Sequence, residues 1–177
     1  MKAIMISIQP QWVSKILNKE KLVEIKKTMP KCELPCKVYI YCTKGKKLYK
    51  CVSNFDEDLL NGKVIAEFML NKVDTLERDL NDWLPKNRYD ISNDLLKNIN
   101  LNQNELWNYG QGKTLYAWHI DDLKIYDKPK LLQVFFRPCG DCDKKDTDRC
   151  IYEDSYCRAK VIRPPQSYCY VEELENE

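Results

Sequence analysis

Two lysines and a glutamate near the amino terminus are the first side chains whose types and spacing could perform chemistry. Lys21, Glu24 and Lys26 lie at the point where a predicted helix gives way to a predicted strand. Two ammonium groups beside a carboxylate can bind an anion or the polar edge of a nucleobase. The same residue types are also common on an exposed strand edge, where lysines discourage pairing with another chain. On these residues alone, the strand-edge interpretation is the simpler one.

A predicted strand–helix–strand unit would position these side chains. Ala3 to Ile8 is an apolar run rich in isoleucine, which favours a buried strand. Pro10 can begin a helix, and Asn18 can end it in the left-handed conformation. Leu22 to Lys26 alternates apolar and charged residues, which predicts a half-exposed strand. The apolar residues of the helix recur at helical spacing and are Trp12, Val13, Ile16 and Leu17.

Four cysteines in the carboxyl-terminal third form a second group of residues that could perform chemistry. They are Cys139, Cys142, Cys150 and Cys157. Four thiolates at this spacing fit a tetrahedral zinc site. The surrounding segment has few large apolar residues, so metal binding would supply its folding energy. A closed site leaves no position for substrate, so we predict a structural zinc. An iron–sulfur cluster and four free thiols remain the alternatives.

The other cysteines and the single histidine carry weaker signals. Cys32 and Cys36, with Pro30 and Pro35 beside them, predict a turn with packed thiols, with zinc ligation as an alternative. A cysteine nucleophile would need a nearby base, and the spacing ties His119 to no cysteine. The remaining cysteines are predicted to be small apolar fillers, and they are Cys42, Cys51 and Cys169.

Length and composition predict one cytoplasmic globular domain without a membrane partner. The chain has 177 residues, 44% of them hydrophobic and 32% charged. Its apolar runs are much shorter than the roughly 20 residues of a membrane-spanning helix. Gln9 and Pro10 interrupt the first apolar run, which argues against a signal peptide. Outside a secretory context, the cysteines are expected to be thiols or metal ligands.

The net charge of +2 conceals an asymmetry along the chain. Residues 1–50 contain 12 lysines and three glutamates, which leaves a net negative charge on the remainder. A basic surface built from this amino-terminal third would attract a polyanion by releasing its counterions. A solubilising loop is the alternative for its densest part, residues 44–50.

The middle of the chain predicts strands on either side of a helical insertion. Residues 38–42 and 63–73 have the pattern of strands, and residues 76–113 that of a helical insertion. Within it, Asn102 and Glu105 have the spacing of a capping box. Strands are predicted again at 115–120 and 122–126, with a turn at 127–129. We therefore predict a single domain over 1–177. It has a helical insertion at 76–113 and a metal-binding insertion with the four cysteines at 137–160.

Aromatic and amide side chains near the end of the chain are candidates for contacts to bases. Trp118 and His119 alternate along one strand, so they face opposite sides. Trp118 could stack on a base, although a core tryptophan is the commoner case. Gln166, Ser167 and Tyr168 follow two prolines and could contact base edges. The alternative is that the prolines only direct the chain into its final strand.

Several of these segments together resemble the ASCH domain, a small β-barrel family related to PUA domains. The opening signature is similar at Ser7–Pro10 and at Lys19–Lys26. Further similar segments follow in the same order along the chain, at 62–68, 116–120, 127–129 and 164–171. The last segment resembles the closing strand of small ASCH proteins common in phages. The resemblance implies an α+β fold, a PUA-like mixed β-barrel with flanking helices.

The resemblance also implies a nucleic-acid site where the first strand–helix–strand unit meets the closing strand. Its residues would be Lys19, Lys21, Lys26, Lys27, Trp118, Gln166, Ser167 and Tyr168. The family pattern has glycine at position 19 and arginine at position 26, where this chain has lysine. In the branch that hydrolyses acetylcytidine, threonine stands where this chain has Glu24. Because of these departures, the resemblance supports the fold and a nucleic-acid partner better than it supports that reaction.

Three hypotheses for function follow from the sequence and the resemblance. The first is a module that binds RNA or a modified nucleotide or nucleoside, with Lys21 and Glu24 in the pocket. The second is a ribonuclease-type or amidohydrolase-type enzyme, with Lys21 as the activated group and Glu24 as the proton carrier. The third is a phage effector that binds a host protein. An exposed apolar patch on the helical insertion would favour the third.

Overall fold

The structure is a computed structural model that describes residues 2–45, 60–80, 87–138 and 160–174. Its first three elements are strand β1 (Lys2–Ile8), helix α1 (Pro10–Leu17) and strand β2 (Val23–Lys26). The predicted order of strand, helix and strand is therefore confirmed, but β2 is mostly buried rather than half-exposed. The helix begins at Pro10, whose fixed φ suits the first turn.

The left-handed residue after α1 is Lys19 rather than Asn18, so that detail of the prediction is wrong. Asn18 has φ −83°, whereas Lys19 has φ +59°. This conformation favours glycine because a Cβ atom is strained there. The ASCH pattern has glycine at the corresponding position, and the backbone of this chain keeps the glycine conformation with a lysine.

Five strands form a mixed sheet in the order β7-β4-β3-β1-β8. The members not yet defined are β3 (Cys36–Cys42), β4 (Val64–Leu70), β7 (Asp121–Lys130) and β8 (Tyr168–Glu172). Strand β1 lies between β3 and β8, and it runs parallel to β3 and antiparallel to β8. Because β8 comes from the end of the chain, this pairing brings the carboxyl-terminal segment beside the first strand.

Three further strands form a second antiparallel sheet in the order β2-β6-β5. Strand β5 is Val73–Leu76 and strand β6 is Leu115–His119. Helices α2 (Asn93–Ile99) and α3 (Gln103–Gly110) lie between these two strands in sequence. Asn102 and Glu105 form the predicted capping box at the start of α3. A short 3-10 helix at Leu132–Val134 lies between β7 and β8 in sequence.

Apolar side chains pack on both faces of the five-stranded sheet and beneath the helices. One cluster joins the sheet to α1 and includes Ile4, Ile6, Val13, Ile16, Phe68 and Trp118. The opposite face packs Met5, Tyr39 and Tyr41 against Phe135 and Val161. A third cluster holds α2 and α3 on β2 and β6 through Ile99, Leu106, Val23 and Ile25. The helices are thus anchored to the strand that carries Glu24.

Two predicted elements differ from the structure. Residues 63–73 were expected to form one strand, but Val64–Leu70 and Val73–Leu76 belong to different sheets. The apolar pattern continues across the break because both strands are partly buried. The turn expected at 127–129 is also wrong, since β7 continues to Lys130. Pro129 is tolerated there because β7 is an edge strand.

The two predicted insertions fall partly outside the described residues. Helices are present at both positions where 76–113 showed helical spacing, and Tyr89 packs with them. Phe136 and Lys160 form a bridge that joins the two ends of the cysteine segment. All four cysteines of the predicted zinc site lie outside the described residues, as does most of the basic stretch 44–50. In the described part of the chain, no helix is long and apolar enough to cross a membrane.

Candidate functional site

A cavity of about 810 Å³ lies where β1, α1, β2, α3 and the segment before β8 converge. Each element contributes side chains because the sheet pairings bring distant parts of the chain together. The amino-terminal unit supplies Ser7, Gln9, Trp12, Lys21, Glu24, Lys26 and Lys27. Helix α3 supplies Glu105, Asn108 and Tyr109, and the segment before β8 supplies Gln166 and Ser167. Thr28 and Thr43 complete the polar lining.

Lys21, Glu24 and Lys26 form a continuous line of charge in the cavity wall. Along β2, Val23 and Ile25 pack against the helices, and alternation directs Glu24 and Lys26 to the other face. The Lys21 Nζ atom lies 3.6 Å from Oε2 of Glu24, and the Lys26 Nζ atom lies 3.4 Å from Oε1. Each carboxylate oxygen therefore has its own ammonium neighbour.

Lys21 also holds helix α2 against the amino-terminal unit. Its Nζ atom donates a hydrogen bond of 2.7 Å to the carbonyl of Ile99, a bond that is buried. The backbone N–H of Leu22 donates to the carbonyl of Asn98 at 2.8 Å. Lys15 Nζ donates to the Asn100 side chain at 2.5 Å. The first two contacts satisfy backbone carbonyl groups at the carboxyl end of α2, where a positive charge is also favourable.

Two aromatic rings line the cavity, each beside a lysine. The Nζ atoms of Lys15 and Lys21 lie 5.0 Å and 5.3 Å from the centre of the Trp12 ring. The Nζ atom of Lys27 lies 4.6 Å from the centre of the Tyr109 ring. These distances are those of cation–π contacts. The sequence does not predict that either ring lines the site. Trp12 has the spacing of the apolar face of α1, and Tyr109 lies in the predicted helical insertion.

The two segments that carried the ASCH resemblance at the ends of the chain meet at this cavity. The Ser7 hydroxyl donates a hydrogen bond of 2.6 Å to the carbonyl of Pro165. The Ser7 N–H donates to the carbonyl of Ser167 at 3.1 Å. Gln166 and Ser167 line the cavity beside Ser7 as a result. This placement depends on the pairing of β1 with β8.

Burial lowers the pKa of Lys21 from its ordinary value of 10.5. Lys15 and Lys26 add to this effect by charge repulsion, and Glu24 opposes it. The residue is only 2% exposed, so the loss of hydration is nearly complete. A buried lysine with a depressed pKa is a common feature of functional sites, although structural ion pairs show it too.

The lowered pKa predicts how stability depends on pH. Between the folded-state pKa of Lys21 and 10.5, the unfolded chain binds more protons than the folded chain. The free energy of unfolding of the native chain should therefore rise with pH in this window, relative to Lys21→Met. Urea unfolding of both chains from neutral pH to beyond 10.5 measures the difference. A difference that stays constant with pH would contradict the assignment.

Three predicted nucleic-acid contacts do not line the cavity. Lys19 is exposed in the turn after α1. Trp118 is 0% exposed and packs in the core with its ring centre 5.6 Å from that of Tyr168. Tyr168 is half-buried between Trp118 and Tyr170. Trp118 is the cross-strand partner of Glu24 and shares its face of the sheet. It does not line the cavity, because the core residues that join the five-stranded sheet to α1 cover its ring.

His119 and the described cysteines lie elsewhere. His119 Nε2 is 2.7 Å from Oδ2 of Asp74 on the neighbouring strand, an ordinary surface pair. The Sγ atoms of Cys32 and Cys36 are 2.8 Å apart at the start of β3. Burial raises the pKa of Cys36 to about 12, so it carries no thiolate at neutral pH. Within the described ranges, no three metal-ligating side chains are grouped to hold an ion.

Comparison with solved structures identifies the fold. A crystal structure of ASCH from Zymomonas mobilis is similar with a TM-score of 0.51 and 14% identity, covering 97% of this chain and 88% of that chain. Two variants of that protein, one with tyrosine changed to phenylalanine and one with serine changed to alanine, also have a TM-score of 0.51 and 14% identity. They cover 98% and 97% of this chain, and 92% and 89% of theirs.

No protein-family model matches the sequence, and no curated protein matches it significantly. The similarity to the solved structures therefore concerns architecture. Two sheets with eight described strands, together with helices beside the second sheet, match that architecture over nearly the whole chain. The chain has the α+β fold of ASCH and PUA-like proteins.

Proposed function

We propose that this protein binds RNA, or a modified nucleotide or nucleoside, through the cavity between α1, β2 and α3. The observation that carries the proposal is the combination, in one cavity, of two aromatic rings and the Lys21–Glu24–Lys26 line. The volume of about 810 Å³ lies in the usual range for small-molecule sites. The fold adds weight, since PUA-like modules are associated with RNA.

The aromatic rings offer surfaces on which a base can stack. Trp12 and Tyr109 come from different helices, so they approach the cavity from two sides. Stacking on such rings contributes about 1–3 kcal/mol per base and tolerates any base. Single-stranded RNA suits the site better than a duplex, because only an unpaired base can enter a cavity.

The positive charge around the opening suits a phosphate backbone. Lys27 is exposed at the cavity and Lys26 is buried beside it. Outside the cavity lining, Lys19, Lys31 and Lys44 are also exposed in the described part of the amino-terminal third. Exposed lysines bind phosphates through charge more than through geometry, so affinity should depend on salt.

Removing the charge of Lys27 tests the proposal directly. Lys27→Gln should weaken the binding of a single-stranded RNA and reduce the slope of log affinity against log salt by about one unit. Fluorescence anisotropy over a range of salt concentrations measures both quantities. The matched control is Lys128→Gln, because Lys128 is also exposed but lies on β7, outside the cavity lining.

Equal effects of the two substitutions would show that the binding is a general charge effect. Absence of RNA binding by the native chain, with free nucleotides and nucleosides also unbound, would overturn the proposal. A host-protein partner remains a separate prediction from the sequence. Among the described residues of 76–113, the exposed large apolar side chains are Leu80 and Tyr109, and Tyr109 belongs to the cavity.

A hydrolase is the second candidate, and the buried Lys21 with its lowered pKa favours it. An amine with a lowered pKa gives up its proton more readily, and the Glu24 carboxylate 3.6 Å away can carry that proton during bond cleavage. Mass spectrometry of nucleosides and fragments after incubation with total RNA separates the two candidates. Products that form with the native chain and are lost with Lys21→Ala indicate an enzyme. Retained RNA without products indicates a binding module.

We also propose that Cys139, Cys142, Cys150 and Cys157 hold a structural zinc ion. Support comes from their sequence spacing and from the bridge between Phe136 and Lys160, which closes the ends of the segment. A zinc ion there would order the segment rather than contact a ligand in the cavity, because four thiolates fill its coordination shell.

A further inference from the structure

We infer that the Lys21–Glu24–Lys26 line selects guanine, through the Watson–Crick edge that carries O6, N1 and N2 and through N3 beside it. The inference rests on the proposed function, since it names the base that the cavity would take. It depends on which hydrogen-bonding group stands at each position along the line. Guanine is the base whose edge offers the complementary order.

The line presents a donor, two acceptors and a second donor. The carboxylate oxygens of Glu24 are the acceptors, with the Lys21 ammonium beside Oε2 at 3.6 Å and the Lys26 ammonium beside Oε1 at 3.4 Å. Both separations are longer than the 2.7–2.9 Å of a strong charge-assisted hydrogen bond, by about half an ångström or more. The oxygens therefore keep the capacity to accept hydrogen bonds from a ligand.

The surroundings hold this order of groups in place. Lys21 Nζ is fixed by the carbonyl of Ile99, and Lys26 Nζ lies 3.5 Å from the carbonyl of Ser7. Glu24 stands opposite Trp118 in the β2–β6 register, and the buried indole lies in the core beneath. A side chain restrained on several sides recognises a planar edge with little further loss of conformational freedom.

Guanine presents the complementary order around its N2 amino group. On the Watson–Crick edge its O6 atom accepts and N1–H and the N2 amino group donate side by side, and N3 accepts on the adjoining sugar edge. The adjacent donors match the two oxygens of a carboxylate, while O6 and N3 face the flanking ammonium groups. Adenine and cytosine each place an acceptor next to their amino group, and uracil has one N–H between two carbonyls. None of these bases offers two adjacent donors.

Charge excludes the other common partner of a carboxylate. A guanidinium group also has adjacent donors, but it is cationic. The three lysines of the lining, Lys21, Lys26 and Lys27, would repel a cation in this cavity, because they outnumber its two carboxylates, Glu24 and Glu105. The ligand should therefore be neutral at the recognised edge and anionic elsewhere, which describes a guanine nucleotide. A pterin carries the same edge and is the one alternative source of this chemistry.

Equilibrium titration of the native chain with GMP, IMP, AMP, CMP and UMP tests the inference. IMP lacks only the N2 amino group, so it isolates the second donor. We expect GMP to bind about tenfold or more tightly than each of the others, since a matched bidentate pair contributes about 1–3 kcal/mol. Short RNA oligomers with a single guanine should show the same preference over oligomers without one.

Glu24→Gln replaces one acceptor with a donor and should remove the preference of the site for GMP over IMP. Glu33→Gln is the matched control, because Glu33 is exposed and outside the cavity lining. Thermal unfolding checks that both variants fold. The comparison of nucleotides on the native chain decides the matter even when Glu24→Gln does not fold.

The outcomes separate the inference from the proposed function. RNA binding with equal affinity for all nucleotides, or with a preference for another base, would overturn the guanine assignment and leave RNA binding in place. Binding of a pterin without binding of GMP would overturn both. Loss of all binding, to RNA and nucleotides alike, would also overturn both. A tenfold preference for GMP that disappears in Glu24→Gln would establish the inference.

Discussion

Trp118→Ala should lower the free energy of unfolding by about 3–5 kcal/mol, the usual cost of removing a large buried ring. The Trp118 side chain is 0% exposed and packs in the cluster that joins the five-stranded sheet to α1. It also contacts Tyr168, which couples β6 to the closing strand. Alanine would leave a cavity that the surrounding strands cannot collapse to fill. Urea unfolding followed by circular dichroism measures the loss.

Trp118→Phe is the control for this prediction. The indole N–H of Trp118 is buried and has no hydrogen-bond partner in the described part of the chain. Phenylalanine removes that unpaired donor and keeps an aromatic ring, so the loss should be less than half of that for alanine. Under conditions where both variants are folded, RNA affinity should stay near that of the native chain. A large loss of affinity with intact stability would make Trp118 a binding residue instead.

Cys142→Ser should remove a zinc ion that the native chain retains during dialysis against a chelator. The four predicted thiolates form a closed shell, and such sites contribute about 10–16 kcal/mol of apparent binding energy in zinc-finger peptides. Loss of one thiolate weakens the site enough for a chelator to compete. Elemental mass spectrometry of the dialysed protein gives the metal content, with one zinc per native chain expected.

Cys169→Ser is the control for the zinc prediction, because Cys169 lies on β8 outside the cysteine cluster. It should retain the metal. Iron and inorganic sulfide in place of zinc would identify the alternative cluster chemistry. A native chain without bound metal after purification in zinc would contradict the prediction, and the four cysteines would then be free thiols.

The sequence predicted the local elements at the amino terminus with few errors. Pro10, the helical spacing of the α1 residues and the alternation from Leu22 to Lys26 each depend on neighbours in sequence. The capping box of Asn102 and Glu105 is equally local. Such patterns are visible in one dimension because the groups that satisfy each other are three or four residues apart.

The errors occurred where the pattern was compatible with two arrangements. A continuous apolar run over 63–73 does not show that the chain leaves one sheet for another after Leu70. The positive φ of Lys19 was missed because asparagine is the commoner residue in that conformation. Trp118 illustrates a further limit. Strand alternation predicts two faces, but only the packed sheets show that both faces of β6 are covered, Trp118 by one core cluster and Ala117 by another.

The sequence by itself determined the first strand–helix–strand unit and the proximity of Lys21, Glu24 and Lys26, because these features arise from spacing along one short segment. Only the tertiary structure decided what surrounds them. Ile99, Tyr109 and Ser167 reach the amino-terminal unit through helix packing and the β1–β8 pairing. These contacts join residues far apart in sequence, and they are selected by burial of apolar surface over the whole fold, which no local pattern records.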